Sequence, residues 1–161
     1  MATRILALLA LVFAISGCGG GDSDPAAETT YTSIAHDGEL SNVDASGNVT
    51  NATAISATLT SIVYTNTASS AKTVRIQTSG QASLAGQADG LVVNARSVGG
   101  DESNNQTPVG TTATTIGRVD EVSVPAGETI SVEVRIGMSA MSGPATIAWA
   151  GVTTTLKPLS P

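Results

Sequence analysis

Cys18 is the sole thiol of this 161-residue chain, and it stands directly behind Ile15-Ser16-Gly17. Small Ser16 and Gly17 let an extended backbone enter a peptidase cleft, and the sulfur of Cys18 can then carry a thioether-linked diacylglycerol. The other groups able to move protons are sparse. His36 is the sole histidine, next to Asp37. A hydrolytic triad needs an imidazole beside a nucleophile, so His36, Asp37 and one of the many serines are the only route to one, and no Gly-x-Ser-x-Gly elbow accompanies them. Adjacent carboxylates occur at Asp37 with Glu39, Asp101 with Glu102, and Asp120 with Glu121. Glycoside hydrolysis needs two carboxylates facing each other across a cleft, whereas these are sequence neighbours in expected loops and strand ends.

Metal chemistry is similarly restricted. With one histidine and one cysteine no zinc set can be assembled. Calcium takes oxygen ligands from irregular loops, and Asp37, Glu39 and Asp44, with Asn42 between them, make 37–44 the candidate calcium segment, though its spacing is not that of an EF-hand. No residue pattern calls for a cofactor.

The N-terminus carries an address. Arg4 precedes the apolar run Ile5 to Ile15, and Gly19-Gly20-Gly21-Asp22-Ser23-Asp24-Pro25 follows Cys18. At about 1.5 Å of rise per residue, that run is too short to span a hydrocarbon layer of about 30 Å, and it reads as a removable export signal. Ile15-Ser16-Gly17-Cys18 resembles the lipobox of bacterial lipoproteins. The resemblance implies cleavage after Gly17, acylation of Cys18 and a lipid anchor in the cell envelope. In that family an aspartate after the cysteine favours the inner membrane; Gly19 in that position favours the outer one. Gly21-Asp22-Ser23 also resembles the Gly-Asp-Ser block of the SGNH hydrolases, but no histidine follows His36 to supply that family's base.

The expected organisation is therefore a signal peptide at 1–17, lipidated Cys18 with a flexible tether at 18–30, and one domain at 31–161. Gly, Pro, Ser and acidic residues without apolar periodicity make the tether. The whole chain has a net charge of −6. Beyond residue 17 the strong cations are Lys72, Arg75, Arg96, Arg118, Arg135 and Lys157, scattered rather than clustered. Nucleic-acid binding needs a basic stripe against phosphates, so it is excluded as a leading function.

From Thr53 onward Thr, Val, Ile and Ser alternate with period two, the signature of strands. Ile130, Val132, Val134 and Ile136 share one face of a strand over Thr129 to Gly137, while Ser131, Glu133 and Arg135 share the other. One buried face and one wet face predict antiparallel sheets. Arg118 to Val124 precedes the Pro125-Ala126-Gly127 turn and is expected to form a hairpin with that strand. A parity shift between Leu59 and Ile62 predicts a bulge or bend within Ala54 to Thr65. Further strands are expected at Lys72 to Thr78, ended by Ser79-Gly80-Gln81, at Leu91 to Val98, and at Ala145 to Leu156, the last carrying Trp149. Gly99 to Pro108 and Met138 to Gly143 read as loops.

Short strands punctuated by Gly, Pro, Asn and Ser predict an all-β, antiparallel β-sandwich, jelly-roll or immunoglobulin-like. Tyr64-Thr65-Asn66-Thr67, the Val124 to Glu128 turn and the closing tryptophan strand resemble jelly-roll modules of phage virion and C1q-like proteins, which tips the expectation toward a jelly-roll. Val74, Ile76, Val132, Val134 and Ile147 are the expected core, with Trp149 in the core or at a sheet edge. The function these readings converge on is a non-enzymatic envelope lipoprotein, held by its anchor in the membrane and engaging a protein partner or itself. The alternatives are a phage-derived, oligomeric virion-like module displayed at the envelope, and a weak hydrolase at His36 and Asp37.

Overall fold

A computed structural model describes residues 29–50 and 53–159. Cys18, the expected signal peptide, all but the last two tether residues and the Gly21-Asp22-Ser23 block lie outside the described residues. The described chain forms nine strands: β1 (Tyr31–Ile34), β2 (Gly38–Ser41), β3 (Ala54–Thr65), β4 (Lys72–Gly86), β5 (Asp89–Val98), β6 (Asp101–Val109), β7 (Thr114–Val124), β8 (Thr129–Ser139) and β9 (Ala145–Pro158).

The pairings are nested. β5 pairs with β6, β4 with β7, β3 with β8, and β1 and β2 in turn with β9, all antiparallel. Such a ladder, folded over once, is closed by β4 with β9 in one sheet and β5 with β8 in the other. The result is a β1-β9-β4-β7 sheet, with β2 also on β9, facing a β3-β8-β5-β6 sheet. This is jelly-roll connectivity, and it decides against the immunoglobulin-like alternative.

Three expectations are corrected. β7 and β8 do not form a hairpin: β7 lies on β4, and β8 lies between β3 and β5. The Pro125-Ala126-Gly127 turn instead carries the chain from one sheet to the other, because turn residues encode reversal but not the partner of the following strand. The polar loop expected over Gly99 to Pro108 is mostly β6. Only Gly99 and Gly100 turn, with φ of 60° and 92°, the successive positive values that a two-residue hairpin connection uses. Among the described residues β6 has no strand beyond it, and it is wet along most of its length, so no apolar alternation marked it. Finally, Ser79-Gly80-Gln81 does not end β4, which runs on to Gly86. The pairing with β9 slips there, and Gly80 admits the close approach: a Cβ on it would lie 2.8 Å from Val152 Cα. The bulge expected in β3 is present, between Thr58 and Thr60.

Two apolar clusters fill the sandwich. Val92, Val134, Ile136, Ile147 and Val152 belong to one, and Val74, Ile76, Val132, Ile130 and Leu156 to the other. Between them runs a polar row. Asn94 Nδ2 on β5 donates to Thr78 Oγ1 on β4 at 2.9 Å, and Thr78 shares a 3.1 Å hydrogen bond with Thr154 on β9. All three are buried. At one margin Ser33 of β1 is hydrogen-bonded to Thr60 of β3; at the other, Asn105 Nδ2 of β6 donates to Asp120 Oδ2 of β7 at 3.3 Å. Tyr31 and Tyr64 meet edge to face, centroids 5.5 Å apart, where β1 approaches β3.

A buried donor without an acceptor costs about 1–3 kcal/mol, whereas removing both partners together costs little. Thr78→Val is therefore expected to lower unfolding stability by about 1–3 kcal/mol in urea titration. Adding Asn94→Leu and Thr154→Val should recover part of that loss; a triple variant whose losses simply add would show that the row is not coupled.

Candidate functional site

The loops leaving β2 and β8 meet at one end of the sandwich. Asn42, fully buried after β2, holds them together: its Nδ2 donates to the Gly143 carbonyl at 2.9 Å, and its Oδ1 accepts from Ala145 N at 2.8 Å. Its own carbonyl accepts from Thr50 N at 2.7 Å and from the Thr50 hydroxyl at 2.9 Å. One side chain thus binds the second loop while the same residue's backbone closes the first.

Within the first loop, Asp44 organises the turn. Its Oδ1 accepts from Ser46 N and Asn48 N, each at 2.8 Å, and Gly47 turns the chain with φ of 84°. Val43 and Val49 form an isolated antiparallel bridge at the neck. Hydrogen bonds from Asn48, first its backbone and then its side chain, together with that from Ser46, hold the Asp44 carboxyl below its ordinary value of 3.8. The second loop, at 140–144, is shorter than the Met138 to Gly143 loop read from sequence because β8 continues through Ser139. Ala140 takes a left-handed φ of 51° there, a conformation costing about 1–2 kcal/mol for an L-residue. Ser142 ties this loop to the β4–β5 connection, donating from its backbone N to the Gln87 carbonyl at 3.2 Å and from its hydroxyl to Gln87 Oε1 at 3.0 Å.

Between the loops lies a shallow depression of about 410 Å³, lined by Asn42, Val49, Thr50, Thr53, Met141, Ser142 and Gly143. Val49 is 41% exposed. Exposed Val49 and partly buried Met141 lie there amid hydroxyls and backbone amides.

The residues singled out for calcium do not converge. Asp37 Oδ1 accepts from Gly151 N at 3.0 Å, Glu39 lies on β2 opposite Ala148, and Asp44 is engaged within its own turn. Among the described residues no three His, Cys, Asp or Glu side chains are grouped to hold a metal ion. The His36 carbonyl accepts the Trp149 indole N–H at 2.7 Å, and among the described residues no serine is hydrogen-bonded to its ring. Trp149 lies half-buried against the core with its ring over Gly38, where a Cβ would come within 2.4 Å of Cζ2.

The other carboxylate neighbours are separated by strand alternation. Asp120 faces inward, 3.0 Å from Arg96 Nη1 of the opposite sheet, a distance suited to an ion pair but without hydrogen-bond alignment at that nitrogen. Glu121 faces outward to Arg75 Nη2 at 2.8 Å. Asp101 and Glu102 are exposed at the start of β6. Sequence reasoning took Asn42 as an oxygen donor of the candidate calcium segment and missed its role in joining the loops, and it missed the Arg96–Asp120 pair, for which Arg96 carried a signal as a charge on the inward parity of β5.

No protein-family model matches the chain, and no curated protein matches it. Among solved structures it resembles a chain in the structure of infectious bursal disease virus Gx strain, with a TM-score of 0.51 and 13% identity over 88% of this chain and 36% of that one. A chain of the Gt strain of the same virus gives a TM-score of 0.47 and 12% identity, over 88% and 37%. This chain thus spans little more than a third of the viral chains, and at that identity the likeness to the Gx chain is one of fold.

A depressed carboxyl contributes stability that is complete above its ordinary value and is lost as pH falls through the lowered one. The amides of Ser46 and Asn48 should therefore remain protected from hydrogen exchange as pH falls through 3.8 and lose protection only below it. In Asp44→Ala they should exchange rapidly at every pH, with the strands unchanged.

Proposed function

We propose that this protein is a lipid-anchored envelope protein whose jelly-roll domain acts as a non-enzymatic structural or protein-binding module. The observation that carries the reading is the loop end: Asn42 ties two loops together and leaves Val49 exposed beside Met141, which is partly buried against the core. A rigid polar surface with a small apolar centre is the composition of a protein contact, since fixed loops lose little conformational freedom on binding. The anchor rests on Ile15-Ser16-Gly17-Cys18, and Gly19 after the cysteine supports the outer membrane as its destination. Two or three acyl chains, at about 0.8 kcal/mol per buried methylene, would hold the domain at the membrane durably.

A second reading is an oligomeric, virion-like module of phage origin displayed at the envelope. The nested jelly-roll connectivity favours it, together with the likeness to a chain of a virus structure.

Cells expressing the chain and fed labelled palmitate should yield labelled protein in the membrane fraction, and Cys18→Ala should abolish both label and sedimentation with membranes. An unlabelled, cytosolic wild-type protein removes the anchor. Cross-linking from Val49 in intact cells should trap a partner that Met141→Asp releases; if Met141→Asp leaves the trapped species unchanged, the loop end is not the contact. A three-copy assembly in light scattering would favour the virion-like reading over the first.

A further inference from the structure

Among the described residues each sheet of the sandwich ends in strands with no neighbour beyond them, and three of those margins are guarded. The β1/β2 margin is interrupted at Ala35–Asp37, where Ala35 N instead donates to the Val152 carbonyl at 2.7 Å. β3 is flanked by β1 through Ser33–Thr60 and Tyr31–Tyr64. β6 opens on Asp101-Glu102 and carries Pro108, two features that discourage strand addition. β7 carries charges as well, Arg118, Asp120 and Glu121, but it has no proline, and its inward charges are of opposite sign two residues apart, so they repel a strand of other sequence and match a second copy of β7. It is eleven residues long and pairs only with β4. Val119, at its midpoint, is 60% exposed, the most exposed of the large apolar side chains described.

We infer that the free margin of β7 is the pairing surface for a second copy of this chain, joined antiparallel about a twofold axis through Val119. In that register Val119 faces the partner's Val119, Arg118 faces the partner's Asp120 twice over, and Ile116 faces the partner's Val122. The faces agree, because Ile116, Arg118, Asp120 and Val122 all lie on the inward parity of β7, opposite Gly80, Thr78, Ile76 and Val74 of β4. The Arg118 side chain makes no ion pair or hydrogen bond among the described residues, so the pairing supplies its counter-charge. It also sets Asp120 between Arg118 of one copy and Arg96 of its own.

The register is specified by charge. A slip of one residue turns the inward face outward. A slip of two, in either direction, sets Asp120 against the partner's Asp120 or Arg118 against the partner's Arg118, and like charges directly opposite are destabilising. Among these neighbouring registers the one about Val119 alone satisfies parity and sets opposite charges together, and it extends the β1-β9-β4-β7 sheet across both copies. This inference stands apart from the loop-end contact and the anchor: β7 lies along a sheet margin, not at the Asn42 platform.

The test is the mass of the full chain by sedimentation equilibrium in density-matched detergent. Wild-type protein should be two-copy, and Arg118→Asp should weaken association by about tenfold or more, as two attractive contacts become repulsive. Asp120→Arg should do the same alone, whereas an equimolar mixture of the two variants should pair again, since each supplies the charge the other lacks. Asp120→Arg also removes the Arg96 pair, so a second readout does not depend on it. Val119→Cys should be trapped as a copy-to-copy disulfide under mild oxidation, and Gly117→Cys, displaced along the strand from its counterpart, should not exceed the Cys18 background. A single-copy wild type, an Arg118→Asp variant that pairs as tightly as wild type, or equal trapping at positions 117 and 119 would overturn the inference. A single-copy protein that still gains its partner through Val49 would overturn the β7 pairing and leave the proposed function standing.

Discussion

The hydrogen bond from Asn94 to Thr78, continued to Thr154, is the constraint on which the arrangement of the two sheets depends. Apolar faces alone fix the distance between sheets but not their relative sliding, because Val and Ile contacts are interchangeable along a strand. A buried amide aimed at a buried hydroxyl is not interchangeable. Sliding the β3-β8-β5-β6 sheet by one residue pair over its mate would leave Asn94 facing Ile76 or Gly80 and expose it to the desolvation cost of an unpaired donor. Ser33 with Thr60 lies in the same transverse row, and Asn105, opposite Asn94, reaches Asp120 one residue pair along β7 from that row, so polar contacts also bridge the sheets at both margins.

The ends of the sandwich are held by the same kind of residue. Asn66, fully buried after β3, donates from Nδ2 to the carbonyls of Ser70, Val124 and Pro125, while its Oδ1 accepts from Ala68 N. It joins the β3–β4 and β7–β8 connections as Asn42 joins those after β2 and β8. A domain whose core is built of Val, Ile, Leu and Ala has few large aromatic side chains to wedge its loops. Buried asparagines replace them, each offering two donors and an acceptor to carbonyls and amides that would otherwise be left unsatisfied. Each of the two asparagines thereby holds the connections it touches in one arrangement relative to each other.

Much of the fold was legible in the alternation. β8, β9 and most of β3, β4 and β5 announce themselves through Val and Ile at every second position, and the bulge in β3 through a break in parity. β6 was illegible because a margin strand wet on both faces has no apolar period to read, and its Ser, Asn and Gln are the residues that loops also use. The partner of β8 was illegible for a different reason: Pro125-Ala126-Gly127 specifies that the chain reverses, while the sheet it reverses into is set by contacts far away in sequence. The candidate site was the least legible part. Asp37, Glu39 and Asp44 drew notice as ligand types, yet strand alternation and a tight turn direct them apart, and the residue that builds the site, Asn42, is indistinguishable in sequence from a turn asparagine.

The distribution of charge follows from the same geometry. Arg75 with Glu121 and Arg135 with Glu133 lie on exposed faces, where such pairs contribute about 1 kcal/mol or less, and Arg96 with Asp120 bridges the sheets where the β6 and β7 margins face each other. Charges held in this way tie strands together, and alternation sends acidic neighbours such as Asp120 and Glu121 to opposite sides of the strand. The same alternation leaves Arg118 in the inward row beyond the last buried residue, at a margin where the sheet has ended and the opposing sheet supplies no acid. A cation in that position is either solvated at random or matched by whatever continues the sheet. On β7 the matching acid is two residues away on the same strand, and antiparallel symmetry is the operation that brings it opposite.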